Sequence, residues 1–406
     1  MIRVFPIKVI RPEPETVLQV STRIGGSESI EHLTEELENN PFSYLHVVKP
    51  YIHFADPDHQ ERHFPFGRNY FRQLKAQGVL VNEPTRRAYI YRQTDARQGR
   101  VYEGYILGVS VLDYDEDRIK RHEHTLTSKE NKLVKHIETL GAIGEPMLLC
   151  HLGGPDAEML EQVRGAQLFD FVTVEDGLRH EVWYIPEEKW AALAAKFSEL
   201  ESLYIADGHH RIAATARYLD QRLEAGFAEE DCVLMAYVLP ADQLQIKPFH
   251  RLVKPMPVFD DWQLWIRRLE QGFNVIPSTK PVFAEEPGLF GMYSKDHGWY
   301  QLRLKETYRP STLPKALDVA CLESLVFKDI LGIEDSKTSE DLSFVRGDMP
   351  SPELESLVAS KFAIAFTVHP NSFKEIKDVA DRHGVMPPKS TWIEPKLRTG
   401  MLIQEF

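Results

Sequence analysis

The chain has 406 residues, of which 43% are hydrophobic and 27% charged, and its formal net charge is −13. This length predicts two or three domains, and the ordinary composition excludes a disordered or fibrous protein. The negative charge disfavours binding to nucleic acid. Because apolar runs of membrane-spanning length and a secretory N-terminus are missing, we expect a cytoplasmic protein without a membrane segment. Three scattered cysteines indicate neither a disulfide framework nor a cysteine zinc site.

Three regions are predicted along the chain: an N-terminal α/β region over residues 1–112, a core over 113–254 and a C-terminal α/β region over 255–406. The first ends in a hairpin, since 88–92 and 101–111 are rich in Tyr, Val and Ile and a polar turn separates them. The third ends in an extended segment at 386–396, whose prolines are incompatible with a helix. Its Lys389 and Lys396 could form a lid or an anion clamp, but a structural role for the segment is favoured.

The core region begins with strong helix and hairpin signals. Thr127 and Glu130 have capping-box spacing ahead of apolar residues at helical intervals, and Gly141 predicts the end of this helix. A buried strand is predicted over 146–150. The Asp176-Gly177 turn between two apolar segments predicts a hairpin.

The segment from Leu203 to Arg211 is the most informative part of the sequence. Its first four residues predict a buried strand, and apolar residues at helical spacing from Ile212 predict a helix that stops at Gly226. Gly208 permits a tight turn, and the start of the helix favours binding of an anion. Arg211 can bind that anion through two parallel hydrogen bonds. His209 and His210 can donate hydrogen bonds or transfer a proton near neutral pH. The alternative interpretation is an ordinary helix start that Asp207 caps, with exposed histidines.

Several segments together resemble a widespread prokaryotic family of unknown-function proteins with a ParB/sulfiredoxin-like core. They are IKRHEHT, PMLL, LYIADGHHRIAATARYL, PFHRLVK and MPPKSTWIEPKLRTG, and they occur in this order over nearly the whole chain. The resemblance implies an α/β fold with a central ParB/sulfiredoxin-like domain and flanking N- and C-terminal α/β regions.

The fold has three functional branches, and the residues discriminate among them. The reductase branch requires a cysteine where this chain has His209, so sulfinate reduction is excluded. The chromosome-partitioning branch usually has a helix-turn-helix module and a basic face, and neither is evident. The free serine kinase, which transfers phosphate from a nucleotide to serine, is similar in its Asp-Gly-His-(His/Thr)-Arg loop. Matched by order along the fold, its glutamate base falls on Glu123.

The resemblance and the chemistry of phosphoryl transfer together suggest roles for the remaining polar residues. The predicted nucleotide or phosphate site comprises 207–211 with His250 and Arg251, where His209 and His210 are also catalytic candidates. Asp207 is a candidate ligand for Mg²⁺, which would neutralise phosphate oxygens. Lys120, Arg121 and Lys389 are candidates for steering an acidic substrate; solvated or structural roles are the alternatives for these, for the His250-Arg251 pair and for Glu123.

We therefore expect a phosphotransferase that uses a nucleotide, ADP or ATP, and acts on free serine or O-phosphoserine in either direction. In the direction from phosphoserine to serine the acceptor is a nucleoside diphosphate or water, and with water the protein is a phosphoserine phosphatase. The alternative is a non-catalytic regulator that binds a nucleotide or an amino acid. A DNA-associated partitioning protein is a third class, expected to bind duplex DNA in a salt-sensitive way. The sequence leaves the oligomeric state open.

Overall fold

A computed structural model describes residues 1–23, 30–54 and 60–406, without the side chains of His32 and Gln60. In these ranges the strands are β1 (Val4–Phe5), β2 (Val9–Pro12), β3 (Thr22–Arg23), β4 (Leu80–Asn82), β5 (Tyr89–Asp95), β6 (Arg100–Ser110), β7 (Ile119–Lys120), β8 (Ala142–Ile143), β9 (Met147–His151), β10 (Gln167–Val172), β11 (Arg179–Tyr184), β12 (Leu203–Asp207), β13 (Val233–Pro240), β14 (Gln245–Lys247), β15 (Phe249–Val253), β16 (Phe273–Ser278), β17 (Leu289–Ser294), β18 (Gly298–Leu304), β19 (Leu342–Arg346), β20 (Ile364–Val368), β21 (Trp392–Glu394), β22 (Arg398–Thr399) and β23 (Ile403–Glu405). The α-helices are α1 (Val17–Val20), α2 (Ile30–Asn39), α3 (Leu45–Val48), α4 (Gln60–Ala76), α5 (Val111–Asp115), α6 (Thr127–Leu140), α7 (Ala157–Val163), α8 (Glu187–Ser198), α9 (His209–Glu224), α10 (Trp262–Gly272), α11 (Asp318–Leu322), α12 (Ser351–Ser360) and α13 (Phe373–Asp381).

The described chain divides into two compact units. The first comprises Met1–Lys120, His124–Leu244 and Pro395–Phe406, and the second comprises Arg121–Glu123 and Gln245–Glu394. The three regions predicted from the sequence are a different division and stay a prediction. Among the described helices, none is both long enough and apolar enough to cross a bilayer.

The first unit is built on a mixed sheet whose strand order is β10-β11-β5-β6-β13-β9-β12-β7, with β1 paired to β6. Strand β9 runs parallel to β13 and antiparallel to β12, and β12 runs parallel to β7. Strands β9 and β13 are apolar almost throughout, and all their residues except Pro240 are buried, as expected for strands covered on both faces.

Helix α9 packs on this sheet through the residues that its sequence spacing predicts. Ile212, Ala216 and Leu219 are buried in the same hydrophobic cluster as Leu203 and Ile205 of β12. Each large apolar side chain buried in this way contributes about 1.5–3 kcal/mol. The strand and the helix are therefore both held by the core, and the short turn between them is fixed at both ends.

The second unit contains a separate sheet, with the order β16-β18-β17-β20-β15-β19, in which all the pairings are antiparallel. Strand β15 is interior to this sheet, and all five of its residues are buried. The short strands β14 and β21 pair with each other. The segment 317–331 contains α11 followed by a π-helix over Glu323–Lys328.

The predicted α/β fold class is confirmed, and so are most of the individual elements. Helix α6 occupies the predicted residues and ends at Gly141, which has a φ of 72°. The predicted capping box is wrong: Leu126 is the N-cap residue without a side-chain cap, and Glu130 instead accepts a hydrogen bond from the Thr125 hydroxyl. Gly177 lies between β10 and β11 at a φ of 68°, consistent with the predicted hairpin.

Candidate functional site

The turn between β12 and α9 has the backbone geometry that the sequence predicts. Gly208 is the N-cap residue and has a φ of 99°, a left-handed conformation that favours glycine. Its carbonyl oxygen accepts the first helical hydrogen bond, from the Ile212 N–H, at 2.8 Å. Gly208 provides no side-chain cap, so the helix start keeps the positive end of its dipole towards the turn.

Strand β12 is irregular immediately before this turn. Ile205 pairs with Leu149, whereas Asp207 pairs with Leu148, so the register shifts across Ala206. Bulges of this kind redirect the side chains that follow them and occur often beside functional sites. Here the shift precedes Asp207, the first polar residue of the turn.

The Asp207 carboxylate binds two cations of the chain. Its Oδ1 atom lies 2.7 Å from Nζ of Lys396, and its Oδ2 atom accepts a hydrogen bond from Nη2 of Arg211 at 3.2 Å. The N-cap position of α9 is occupied by Gly208. Asp207 contacts Arg211 and Lys396, which approach the turn from α9 and from the C-terminal segment.

The Arg211 guanidinium packs directly against the turn. An added Cβ at Gly208 would lie 2.9 Å from Nη2 of Arg211, so the absence of a side chain at position 208 makes room for the guanidinium. The Nε atom of Arg211 is buried and makes no hydrogen bond within the part of the chain that the structure describes. Burial lowers the pKa of Arg211, but its two carboxylate partners outweigh this effect and raise the pKa overall. Arg211 is thus a permanent cation with an unused donor beside the helix start.

Glu145 is a member of this cluster that the sequence interpretation missed. Its carboxylate forms an ion pair with Nη1 of Arg211, and only 15% of its side chain is exposed. Burial raises the pKa of Glu145, and the charge of Arg211 opposes this rise. The only local signal was an acidic residue two positions before the buried strand β9. No sequence motif links Glu145 to Arg211.

Lys396 also belongs to the cluster, although the sequence favoured a structural role for its segment. The segment is fixed by backbone pairing of β22 with β3 and of β23 with β2 and β8. The Lys396 carbonyl oxygen accepts a hydrogen bond of 3.3 Å from the Gln93 side chain. The pairing places a C-terminal ammonium group at Asp207, a contact across 189 residues of sequence.

The two histidines of the turn have different environments. His209 is buried, with 6% of its surface exposed. His210 accepts a hydrogen bond at Nε2 from the Leu126 N–H, 3.1 Å away, at the start of α6. His210 therefore has an unprotonated Nε2 in this arrangement and joins the starts of two helices. The catalytic roles predicted for both residues stay predictions.

The predicted phosphate residues His250 and Arg251 lie in the second unit, inside β15. Arg251 donates from Nη1 to the Phe249 carbonyl oxygen and from Nη2 to the Lys389 carbonyl oxygen, the latter at 3.1 Å. Burial lowers the pKa of Arg251 to about 10 and the pKa of His250 to about 4. These environments are typical of structural groups, and phosphate binding by this pair stays a prediction.

The other predicted site residues, Lys120, Arg121, Glu123 and Lys389, are close to the sequence positions at which the chain passes from one unit to the other. Lys120 forms an ion pair of 2.6 Å with Asp117 in the first unit. Arg121 is exposed and Glu123 is half-buried in the second unit, where the intervening His122 carbonyl oxygen accepts a hydrogen bond from the Met386 N–H. The Lys389 ammonium lies 5.1 Å from the centre of the Phe249 ring. Steering by these cations and proton transfer by Glu123 stay predictions.

The surroundings of the Asp207 carboxylate are only partly suited to binding Mg²⁺. Mg²⁺ usually binds one or two carboxylates together with substrate phosphates. Both oxygens of Asp207 already contact cations, and within the described ranges no group of three His, Cys, Asp or Glu side chains is arranged to hold a metal ion. A metal ion at Asp207 would compete with the cations of the chain for the carboxylate.

The fold and this turn together define a mixed α/β protein with a candidate anion site at a strand-to-helix junction. The chain belongs to the DUF1015 family, described as a protein of unknown function, whose model matches residues 4–320. No functionally curated protein matches the sequence.

Three solved structures show a distant likeness to the chain, each with 15% sequence identity and a TM-score of 0.37. One is the free serine kinase in complex with AMP, where the match covers 71% of this chain and 87% of the kinase. Another is a conserved hypothetical protein from Pyrococcus furiosus, with 72% and 93% covered. The third is SbnI with a C-terminal truncation from Staphylococcus aureus, with 71% and 82% covered. At this similarity the neighbours assign neither a ligand nor a reaction to this chain.

Proposed function

We propose that the turn from Asp207 to Arg211 binds a phosphate group of a nucleotide, and that the protein transfers phosphate between that nucleotide and free serine. The observation that carries this proposal is the Arg211 guanidinium packed on Gly208 at the start of α9. A helix start and an arginine with an unused buried donor are two independent sources of positive potential for an anion.

The chemistry requires positioning and charge stabilisation more than covalent participation of the protein. In the kinase direction, the serine hydroxyl oxygen bonds to the terminal phosphorus while the bond to the leaving diphosphate oxygen breaks. The hydroxyl proton passes to a carboxylate, a role that the resemblance assigns to Glu123. In the reverse direction, phosphoserine donates its phosphoryl group to a nucleoside diphosphate. A magnesium ion, if bound at Asp207, would neutralise phosphate oxygens.

Phosphorus NMR tests this reaction directly. The protein with magnesium, ATP and serine should produce a phosphoserine resonance as ATP is lost in equal amount, and the protein with phosphoserine and ADP should show the reverse conversion. The Arg211→Lys variant, purified identically, should convert both substrates more slowly, because lysine lacks the planar guanidinium that binds a phosphate through two hydrogen bonds. If both conversions are absent, the proposed reaction is wrong; if the variant matches the wild-type rate, Arg211 is not part of the site that performs it.

A non-catalytic regulator is the second candidate, and one observation favours it. Asp207 and Glu145, the two carboxylates that contact Arg211, are both engaged by cations, so neither is placed as an open proton acceptor. Glu123→Ala distinguishes the candidates. An enzyme should lose phosphate transfer by orders of magnitude and keep its affinity for ADP, whereas a regulator should bind ADP without turnover in both forms.

A further inference from the structure

The ion pair between Lys396 and Asp207 is arranged so that a ligand can replace one of its partners. Nζ of Lys396 and Oδ1 of Asp207 are 2.7 Å apart, and the side chains are 23% and 36% exposed. The opposite carboxylate oxygen contacts Arg211. Partly exposed pairs of this kind contribute little to stability, so an incoming anion can displace the carboxylate from the ammonium at low cost.

The charges of the turn also indicate that its arrangement changes when phosphate binds. Arg211 and Lys396 carry two positive charges, and Asp207 and Glu145 two negative charges, which cancel. A phosphate at the start of α9 would therefore meet a cluster without net charge. It gains a direct ionic contact if one cation turns from the carboxylate to the phosphate.

Lys396 is better suited than Arg211 to make that change. Arg211 is held by two carboxylates and packs on Gly208, whereas the Lys396 ammonium, which pairs with Asp207, stands on a flexible four-carbon stem. The backbone of its segment is meanwhile fixed by a hydrogen bond from Gln93 and by the pairing of β22 with β3. The ammonium can therefore turn while the chain that presents it stays in place.

We infer that Lys396 is a phosphate-binding residue of the proposed site, and that its ammonium moves from Asp207 to a phosphate oxygen when the ligand binds. This inference rests on the proposed function.

A pair of lysine variants tests the inference by calorimetric titration with inorganic pyrophosphate, in the presence and absence of magnesium. Lys396→Gln should weaken pyrophosphate binding by roughly tenfold or more in both conditions, because a charge-assisted hydrogen bond is lost. Lys396→Arg should recover most of the affinity. The matched control is Lys75→Gln, since Lys75 forms a 2.8 Å pair with Glu405 in the same unit and both side chains are 27% exposed. It should bind as the wild type does.

A second measurement on the unmodified chain keeps the test valid if Lys396→Gln does not fold. Lysine acylation with and without pyrophosphate, read by mass spectrometry, should show protection of Lys396 and unchanged labelling of Lys75. Wild-type affinity or tighter binding in Lys396→Gln, or equal labelling of Lys396 in both samples, would overturn the inference. Failure of the wild-type protein to bind pyrophosphate or ADP would instead overturn the proposed function.

Discussion

The chain contains the dipeptide His-Arg twice, and the two copies have opposite environments. At His210-Arg211 the pair opens a helix after a glycine turn, and the arginine binds carboxylates. At His250-Arg251 the pair lies within a buried strand, and the arginine binds backbone carbonyl oxygens. The pKa of Arg211 is raised by its anionic partners, whereas burial lowers the pKa of Arg251 to about 10.

This contrast shows why a motif alone does not define a phosphate site. Arg251 uses its donors to satisfy buried carbonyl groups of its own unit, a structural task. Arg211 is held in place by carboxylates and keeps one buried Nε donor without a hydrogen bond among the described residues. We therefore expect substitutions at Arg251 to affect stability above all, and substitutions around Arg211 to affect ligand binding as well.

The largest effect on stability is expected for Arg251→Met. The two carbonyl groups that accept from Arg251 would be left without this donor inside the second unit, which should lower the free energy of unfolding by about 3 kcal/mol. Urea denaturation measures this change. Arg346→Met is the control, because Arg346 is 53% exposed on the neighbouring strand and should lose less than about 1 kcal/mol. Equal losses of stability in the two variants would contradict the structural role assigned to Arg251.

Gly208→Ala should lower stability by about 1–2 kcal/mol, because an L-residue is placed in a left-handed conformation. It should also weaken pyrophosphate binding, since the added Cβ would lie 2.9 Å from Nη2 of Arg211 and displace the guanidinium. Gly226→Ala, just beyond the other end of α9, is a matched control.

Gly226 has a φ of 89° and open space where its Cβ would lie. The control should therefore show a similar loss of stability with unchanged affinity for pyrophosphate. If Gly208→Ala binds as tightly as Gly226→Ala does, the packing of Arg211 on the turn has no part in binding.

His210→Ala should lower stability by about 1 kcal/mol, because the Leu126 N–H loses its acceptor at the start of α6. Amide hydrogen exchange should become faster at the first turn of α6 and change little at the C-terminal end of that helix. Unchanged exchange at Leu126 would contradict the proposed link between the two helix starts.

The smallest expected effect is the pH dependence that Glu145 contributes. Because burial raises its pKa in the folded state, the folded protein binds this proton more tightly than the unfolded chain does. This contribution therefore lowers stability as pH rises from the ordinary carboxylate pKa through the raised folded value. In Glu145→Gln the contribution disappears, so its stability relative to wild type should increase with pH over this window. The opposite slope in urea denaturation would show that Arg211 dominates the environment of Glu145.

The sequence predicted the local parts of the site better than its long-range parts. The strand ending near residue 207, the glycine turn and the helix to residue 224 follow from apolar spacing and the need for a left-handed residue. The ion pairs of Asp207 with Lys396 and of Arg211 with Glu145 depend on contacts between segments far apart in sequence. No local pattern encodes such contacts.

Helix boundaries show the same limit at a smaller scale. The apolar positions of α6 predict the helix and Gly141 predicts its end, and the structure confirms the helix and its end. The capping box failed because the entry to the helix is fixed by His210, a residue 84 positions away, while Glu130 interacts with Thr125. The spacing of Thr127 and Glu130 fits the motif, but tertiary contacts determine which residue is the cap.

The most direct test of the phosphate site is a calorimetric titration of inorganic pyrophosphate into the wild-type protein and Arg211→Lys. Lysine retains the positive charge but loses the planar fork, so the account predicts measurable wild-type binding that weakens by about tenfold in the variant. Equal affinity in the two proteins, or no binding by the wild type, would contradict the claim that the turn beside Gly208 is built to hold a phosphate.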